Sequence, residues 1–209
     1  MNSLANQKMI EELNKKFPLK PEIKEAFLKV DRKDFVPNGL VFNAYLIDSL
    51  PLALDSTISS PLTIAKMTTY LEIDKNVDSV LEIGCGSGYQ SAILSKLIRR
   101  VFAIERIKSL VDNTKKRFQK LGFYNINLKY DDGQFGWKTY APFDRILFSA
   151  TADKIESTIF EQLKENGILV APLKRGGKEI IVQFHKIGGK IIEKEIEEAN
   201  FVPIKKGKE

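Results

Sequence analysis

The chain has 209 residues, 43% of them hydrophobic and 29% charged, with a net charge of +6. That length and balance fit one globular domain with a sizeable core. They exclude a membrane-spanning class, because no segment approaches the roughly 20 apolar residues of a transmembrane helix. Cys85 is the only cysteine, so no disulfide forms within the chain and a cysteine metal site is not expected. His185 is the only histidine, which removes most metal-site and histidine-base mechanisms unless His185 itself is the catalyst, and leaves no metal expected. The lysines are scattered apart from a short cluster in "PIKKGKE", and read as a solvated surface rather than a nucleic-acid footprint. The polar N-terminus has no apolar core of a signal peptide, so the expected location is cytoplasmic.

In chain order, "LANQKMIEELNKKF" spaces Leu4, Met9, Ile10, Leu13 and Phe17 as a helical stripe. Pro18 and Pro21 break it, and "PEIKEAFLKV" starts a second helix with Pro21 in its first turn. Residues 32–60 show no clean period and read as a long, apolar, functional loop with short extended pieces. "SSPLTIAKMTTYLEI" is a helix, with Ser60 or alternatively Ser59 as its cap. Strands and helices then alternate. "SVLEIG", "RVFAIER", "INLKY", "FDRILFSA" and "GILVAPL" are apolar strands; "YQSAILSKLI", "KSLVDNTKKRFQKLG" and "KIESTIFEQLK" are helices. That pattern means an α/β domain with a mostly parallel sheet covered on both faces. "EIIVQFHKI" and "KIIEKEIE" alternate with period two around Gly188-Gly189, an antiparallel hairpin at the C-terminal end. We expect one domain over 1–209, with helices and a closing loop in 1–75 and the ligand-binding core in 76–209.

The chemistry concentrates at "LEIGCGSGY", where the first parallel strand hands over to a helix. Gly84, Gly86 and Gly88 let a ligand touch bare backbone, and a helix N-terminus offers N–H groups. The third glycine comes one position too early for the dinucleotide fingerprint, and no G-x-x-x-x-G-K-S/T phosphate loop occurs. Glu105 ends the second strand, where a carboxylate can accept from both ribose hydroxyls of an adenosine. Alternatively it is a surface carboxylate beside Arg106. Asp132-Gly133 follows the third strand and can accept from an adenine amine, or simply form a turn. Three such sites at successive strand ends favour an adenosine ligand without a pyrophosphate. S-adenosylmethionine fits best, because its sulfonium cation suits neighbouring carboxylates.

These residues resemble the protein-L-isoaspartate O-methyltransferase family, from about Arg32 to Pro203. The segments that carry the likeness are "DRKDFVP", "AYLIDSLPL", "TISSP", "VLEIGCGSGYQSAILSKL", "AIERIKSL", "DDGQFGW", "APFDRILFSATA", "EQLKENGILVAPL" and "FVPI". The resemblance implies a Rossmann-like class I S-adenosylmethionine-dependent methyltransferase with an N-terminal helical elaboration. It implies esterification of the free α-carboxylate of L-isoaspartyl residues in damaged proteins and peptides, with S-adenosyl-L-homocysteine as product. The ester closes to a succinimide that reopens partly to normal aspartate, which is repair. Ser59 matches the family's active-site serine. Ser56, Thr57, Ile58, Ser59, Glu82, Gly84, Gly86, Gly88, Glu105, Asp132 and Gly133 match its cofactor set. A carboxylate of pKa about 4 is already ionised at neutral pH and needs no general base. The chain departs from the family pattern at Ala53, Asp55 and Ser56, where Gly, Gly and Gln are usual. Cys85 replaces a threonine, and Lys205 replaces a smaller polar residue found in some members.

Two alternatives remain open on the sequence. One is an RNA (tRNA adenine) methyltransferase on the same scaffold; the other is a cofactor-binding homologue with reduced turnover. The first lacks an added RNA-binding module, so no nucleic-acid partner is expected. A monomer is the default expectation.

Overall fold

The computed structural model describes residues 3–209. Helix α1 (Leu4–Lys16) is capped by Ser3, whose hydroxyl accepts from Asn6 N at 3.2 Å. It buries Met9, Ile10 and Leu13, the stripe read from the sequence. Helix α2 (Pro21–Lys29) begins at Pro21 and buries Ile23, Ala26 and Phe27. The next thirty or so residues form two 3-10 turns and a small antiparallel pair, β1 (Leu50–Pro51) with β2 (Thr57–Ile58). Helix α3 (Pro61–Tyr70) follows at once. Its cap is Ser60, whose hydroxyl accepts from Thr63 N at 3.0 Å.

The core alternates as β3 (Ser79–Ile83), α4 (Tyr89–Leu94), β4 (Arg100–Glu105), α5 (Lys108–Leu121) and β5 (Ile126–Tyr130). It continues with β6 (Phe143–Phe148), α6 (Ser157–Glu161), β7 (Leu163–Arg175), β8 (Lys178–Ile187) and β9 (Lys190–Glu198). One seven-stranded sheet has the order β5-β4-β3-β6-β7-β8-β9. The pairs from β5 to β7 are parallel, and β7-β8 and β8-β9 are antiparallel. Every residue of β3 is buried, as expected for a strand covered on both faces. The chain order reverses at β3, so the carboxyl ends of β3, β4 and β6 border the crevice where open α/β sheets bind ligands. The N-terminal helices share a hydrophobic cluster with Tyr89, Ala92 and Ile93 of α4, which locks them to the helix behind the glycine loop. No helix among the described residues is long and apolar enough to cross a membrane.

Several elements differ from the sequence reading. The helix expected through Lys164 is only the five residues of α6, because Leu163 leaves it to pair with Phe143 in the sheet. Helix α4 stops at Leu94 rather than Ile98. A second hairpin joins β7 to β8 through Gly176-Gly177, so the C-terminal unit is a three-stranded meander. Gly188 and Gly189 turn the expected hairpin at φ 58 and 73, the left-handed pair a tight turn needs.

Candidate active site

Three connected hollows lie along the strand ends. The main cavity, about 290 Å³, is bounded by the glycine loop (Gly84, Gly86), Glu105, Gly133 and the segments 54–57 and 202–205. A smaller one of about 40 Å³ lies between Thr57–Ser59, Glu82 and the glycine loop. An open groove of about 470 Å³ runs between residues 47–49, the start of α3 and residues 197–202. Thr57 and Ser149 line all three, and Ser59 lines the smaller cavity and the groove. Ser56 and Thr57 face the main cavity, whereas Ile58 is buried and lines the smaller one. The "TIS" segment therefore stands between the two larger hollows.

The glycine loop differs from an anion cradle. Gly84 N and Cys85 N donate to Ile104 O at 2.9 and 3.2 Å, Gly88 N donates to Cys85 O at 2.8 Å, and Gly86 N donates to Glu105 Oε2 at 2.8 Å. These amides are already used, which corrects the expectation that they lie open to a ligand. The loop carbonyls are held as well: Thr114 Oγ1 donates to Gly86 O at 2.9 Å, and Arg117 Nη1 to Ser87 O at 3.0 Å. What the loop presents is carbon surface and carboxylate charge, a lining that suits a cation and not a phosphate.

Glu105 is buried, and its other oxygen accepts from Arg106 N at 2.8 Å and Ile107 N at 3.0 Å. It therefore braces the loop while bordering the main cavity. Glu82 is fully buried at the end of β3 and accepts from the hydroxyls of Ser91 and Ser149, the latter at 2.9 Å. Burial pushes its pKa up to about 7, with the Glu105 charge adding to the rise. Burial likewise pushes the Cys85 thiol well above its ordinary value.

Two residues of the expected cofactor set lie outside the linings of these hollows. Gly88 has φ 83, and a Cβ there would sit 2.5 Å from the Phe118 ring and 2.7 Å from Thr114, so this glycine serves the packing of α5. Asp132 accepts from Gln134 N at 3.0 Å in a turn and from Gly207 N at 2.7 Å. Gly133 does line the main cavity, and a Cβ there would meet Ile83 at 2.5 Å. Ser59 donates nothing to the α3 cap, since Ser60 fills that role. Among the described residues its hydroxyl is unengaged, while its carbonyl accepts from Arg32 at 3.2 Å.

Leu54 and Asp55 adopt φ 55 and 60. The glycine-type backbone path thus survives at Asp55, as strain. Asp55 also pairs with Lys205 at 3.5 Å across the rim of the main cavity, so two departures from the family pattern answer each other in charge. Sequence reasoning missed Ser149, Phe201 and Val202. Ser149 follows the last residue of β6, where a lone serine carries no pattern; the late "FVPI" carries the family likeness without indicating that Phe201 and Val202 border the site.

The fold, the reversal of strand order at β3, and the carboxylate-lined crevice define a class I S-adenosylmethionine-dependent methyltransferase. The residues present fit that cofactor: the glycine-loop amides are engaged rather than open to a phosphate, Glu105 borders the main cavity at Gly84 and Gly86, and Glu82 borders the smaller one, so both carboxylates would suit a cationic ligand. The model of the family described as protein-L-isoaspartate(D-aspartate) O-methyltransferase matches residues 4–209. The protein-L-isoaspartate O-methyltransferase of Helicobacter pylori (strain P12) is 48% identical over 208 residues, 99% of each chain. A solved protein-L-isoaspartate O-methyltransferase superposes with a TM-score of 0.85 at 26% identity, over 95% of this chain and 65% of that one. The fold is also that of a putative Plasmodium falciparum protein-L-isoaspartate O-methyltransferase in complex with S-adenosyl-L-homocysteine (TM-score 0.86, 21% identity, 96% of this chain and 98% of that one). The chain belongs to the protein-L-isoaspartate(D-aspartate) O-methyltransferase family.

Proposed function

We infer that the chain esterifies the free α-carboxylate of L-isoaspartyl residues in damaged proteins and peptides, using S-adenosyl-L-methionine. The observation that carries this reading is that the main cavity and the open groove share Thr57 and Ser149, with Ser59 beside them on the groove and the smaller cavity. The cofactor, when bound, supplies an electrophilic methyl on a sulfonium. Gly84, Gly86, Glu105, Gly133, Ser56 and Thr57 line the main cavity and would hold it, with Glu82 at the adjoining smaller cavity. The substrate carboxylate is a nucleophile at neutral pH, so the protein supplies position rather than a base. The Ser59 hydroxyl, unengaged and at the junction, donates to one carboxylate oxygen and aims the other. His185 sits on β8 and lines none of the three hollows, which accords with a mechanism that needs no imidazole.

An isoaspartyl peptide and its aspartyl isomer, each incubated with labelled cofactor, test the reading. Base-labile label on the isoaspartyl form alone is expected. Label on transfer RNA with none on peptide overturns the reading in favour of RNA methylation. Cofactor binding without transfer to either peptide overturns it in favour of a homologue with reduced turnover. We propose that the protein acts as a monomer in the cytoplasm; light scattering and fractionation check those two points.

A further inference from the structure

Arg32 is completely buried, yet no carboxylate pairs with it among the described residues. Its guanidinium instead donates to four backbone carbonyls. Nη1 reaches Ala44 O at 3.0 Å and Leu46 O at 2.9 Å; Nη2 reaches Asp48 O at 2.9 Å and Ser59 O at 3.2 Å. Its Nε is buried without a partner. The guanidinium carbon also lies 5.9 Å from the ring centre of Tyr89, the first residue of α4 after the glycine loop. Ile47, Asp48 and Ser59 all line the open groove. A single side chain thus ties two lining segments, 44–48 and Ser59, to the helix behind the cofactor cavity.

Burying an unpaired cation is costly, and burial pulls the Arg32 pKa down. The four fixed carbonyl acceptors, with Tyr89 and the Asp48 carboxylate nearby, make the arrangement tenable. The planar fork matters here: one lysine ammonium cannot span carbonyls of three separate residues on one segment and a fourth on the segment before α3. Residues 38–49 lack helices and strands apart from one 3-10 turn, so their backbone needs a partner of this kind.

We propose that Arg32 is a positioning residue for methyl transfer: it fixes the Ser59 backbone against the groove wall at 44–48, and thereby sets where the serine hydroxyl meets the substrate carboxylate. The proposal rests on the reaction inferred above. Its first test is Arg32→Lys, assayed with isoaspartyl peptide and with calorimetry of the cofactor. A fall of at least about tenfold in kcat/KM for the peptide is expected, since small misplacements cost that much or more. Cofactor Kd should stay within about threefold. Arg32→Lys combined with Ser59→Ala should lose no more than the worse single variant, because both act at one point. Multiplying losses, or a folded Arg32→Lys with kcat/KM within about twofold of wild type, overturns the proposal. If Arg32→Lys does not fold, hydrogen exchange on the unaltered protein decides: amides of 44–48 and 57–60 should open together. Independent opening overturns the clamp. If the unaltered protein transfers no methyl to the peptide, the reaction reading fails, and the exchange measurement still judges the clamp by itself.

Discussion

Ser59, Glu82 and Glu105 illustrate how differently three expected site residues are used. Ser59 keeps its hydroxyl because Ser60 takes the cap. Ser59→Ala should therefore lower turnover by about 10- to 100-fold, as loss of orientation does, with cofactor affinity unchanged by calorimetry. Glu82 is raised from 4.5 to about 7, so the folded protein holds its proton more tightly than the unfolded chain. The stability this group adds is complete below pH 4.5 and lost as pH rises through 7. Relative to Glu82→Gln, the ligand-free protein should lose stability between those values with a slope of up to one proton, about 1.4 kcal/mol per pH unit. Parallel urea-denaturation curves for the two proteins across that window would show that Glu82 does not titrate there. A cationic ligand favours the ionised carboxylate, so binding near neutral pH should release protons, measurable by calorimetry in buffers of different ionisation enthalpy. Glu105 accepts three backbone N–H groups, and Glu105→Ala strands them. The variant should lose about 2–4 kcal/mol of stability together with cofactor affinity; loss of affinity alone, with the melting temperature unchanged, would show a purely ligand-facing role.

At the scale of the element, the glycine loop and α5 behave as one piece. Thr114 and Arg117 hold loop carbonyls, and Phe118 fills the space a side chain at residue 88 would need. Gly88→Ala should cost about 1–3 kcal/mol through overpacking and a left-handed backbone, read by thermal unfolding. The closing loop responds in the opposite sense. Asp55→Gly gives up an exposed ion pair and relieves strain at φ 60, so stability should be unchanged or slightly raised by the same measurement. The sequence made the sheet legible because its inner strands are continuous apolar runs, and the β8-β9 turn legible because two glycines interrupt a period of two. It hid the short α6, since Leu163 suits a helix face and a sheet pairing equally. It hid the clamp at Arg32 too. An arginine inside "DRKDF" reads as surface, and only distant carbonyls reveal that it is buried.

Across the whole molecule, segments far apart in sequence close the site. The chain leaves β9, pairs with the segment after β6 through Thr151 N to Val202 O at 2.9 Å and Ile204 N to Thr151 O at 2.7 Å, and crosses to β4 and β5. There Arg106 Nε donates to Gly207 O at 2.8 Å, and Tyr130 Oη to Glu209 O at 3.2 Å. Residues 205–209 are all exposed, so removing them should shift the urea midpoint little. Because Gly207 engages Asp132 and Lys205 borders the cavity, the same truncation should weaken cofactor binding severalfold by calorimetry. This return of the chain had no pattern to announce it: "PIKKGKE" is polar, and its contacts are mainly backbone hydrogen bonds and ion pairs.

The solitary thiol gives the site a built-in chemical footprint. Cys85 lies within the glycine loop, is only 5% exposed, and lines the smaller cavity. An alkylating reagent reaches it only when the loop opens, and every labelled molecule reports that one event. The rate of modification is therefore a clock for the breathing of the site, with no engineered probe, and occupancy of the cavities should slow it.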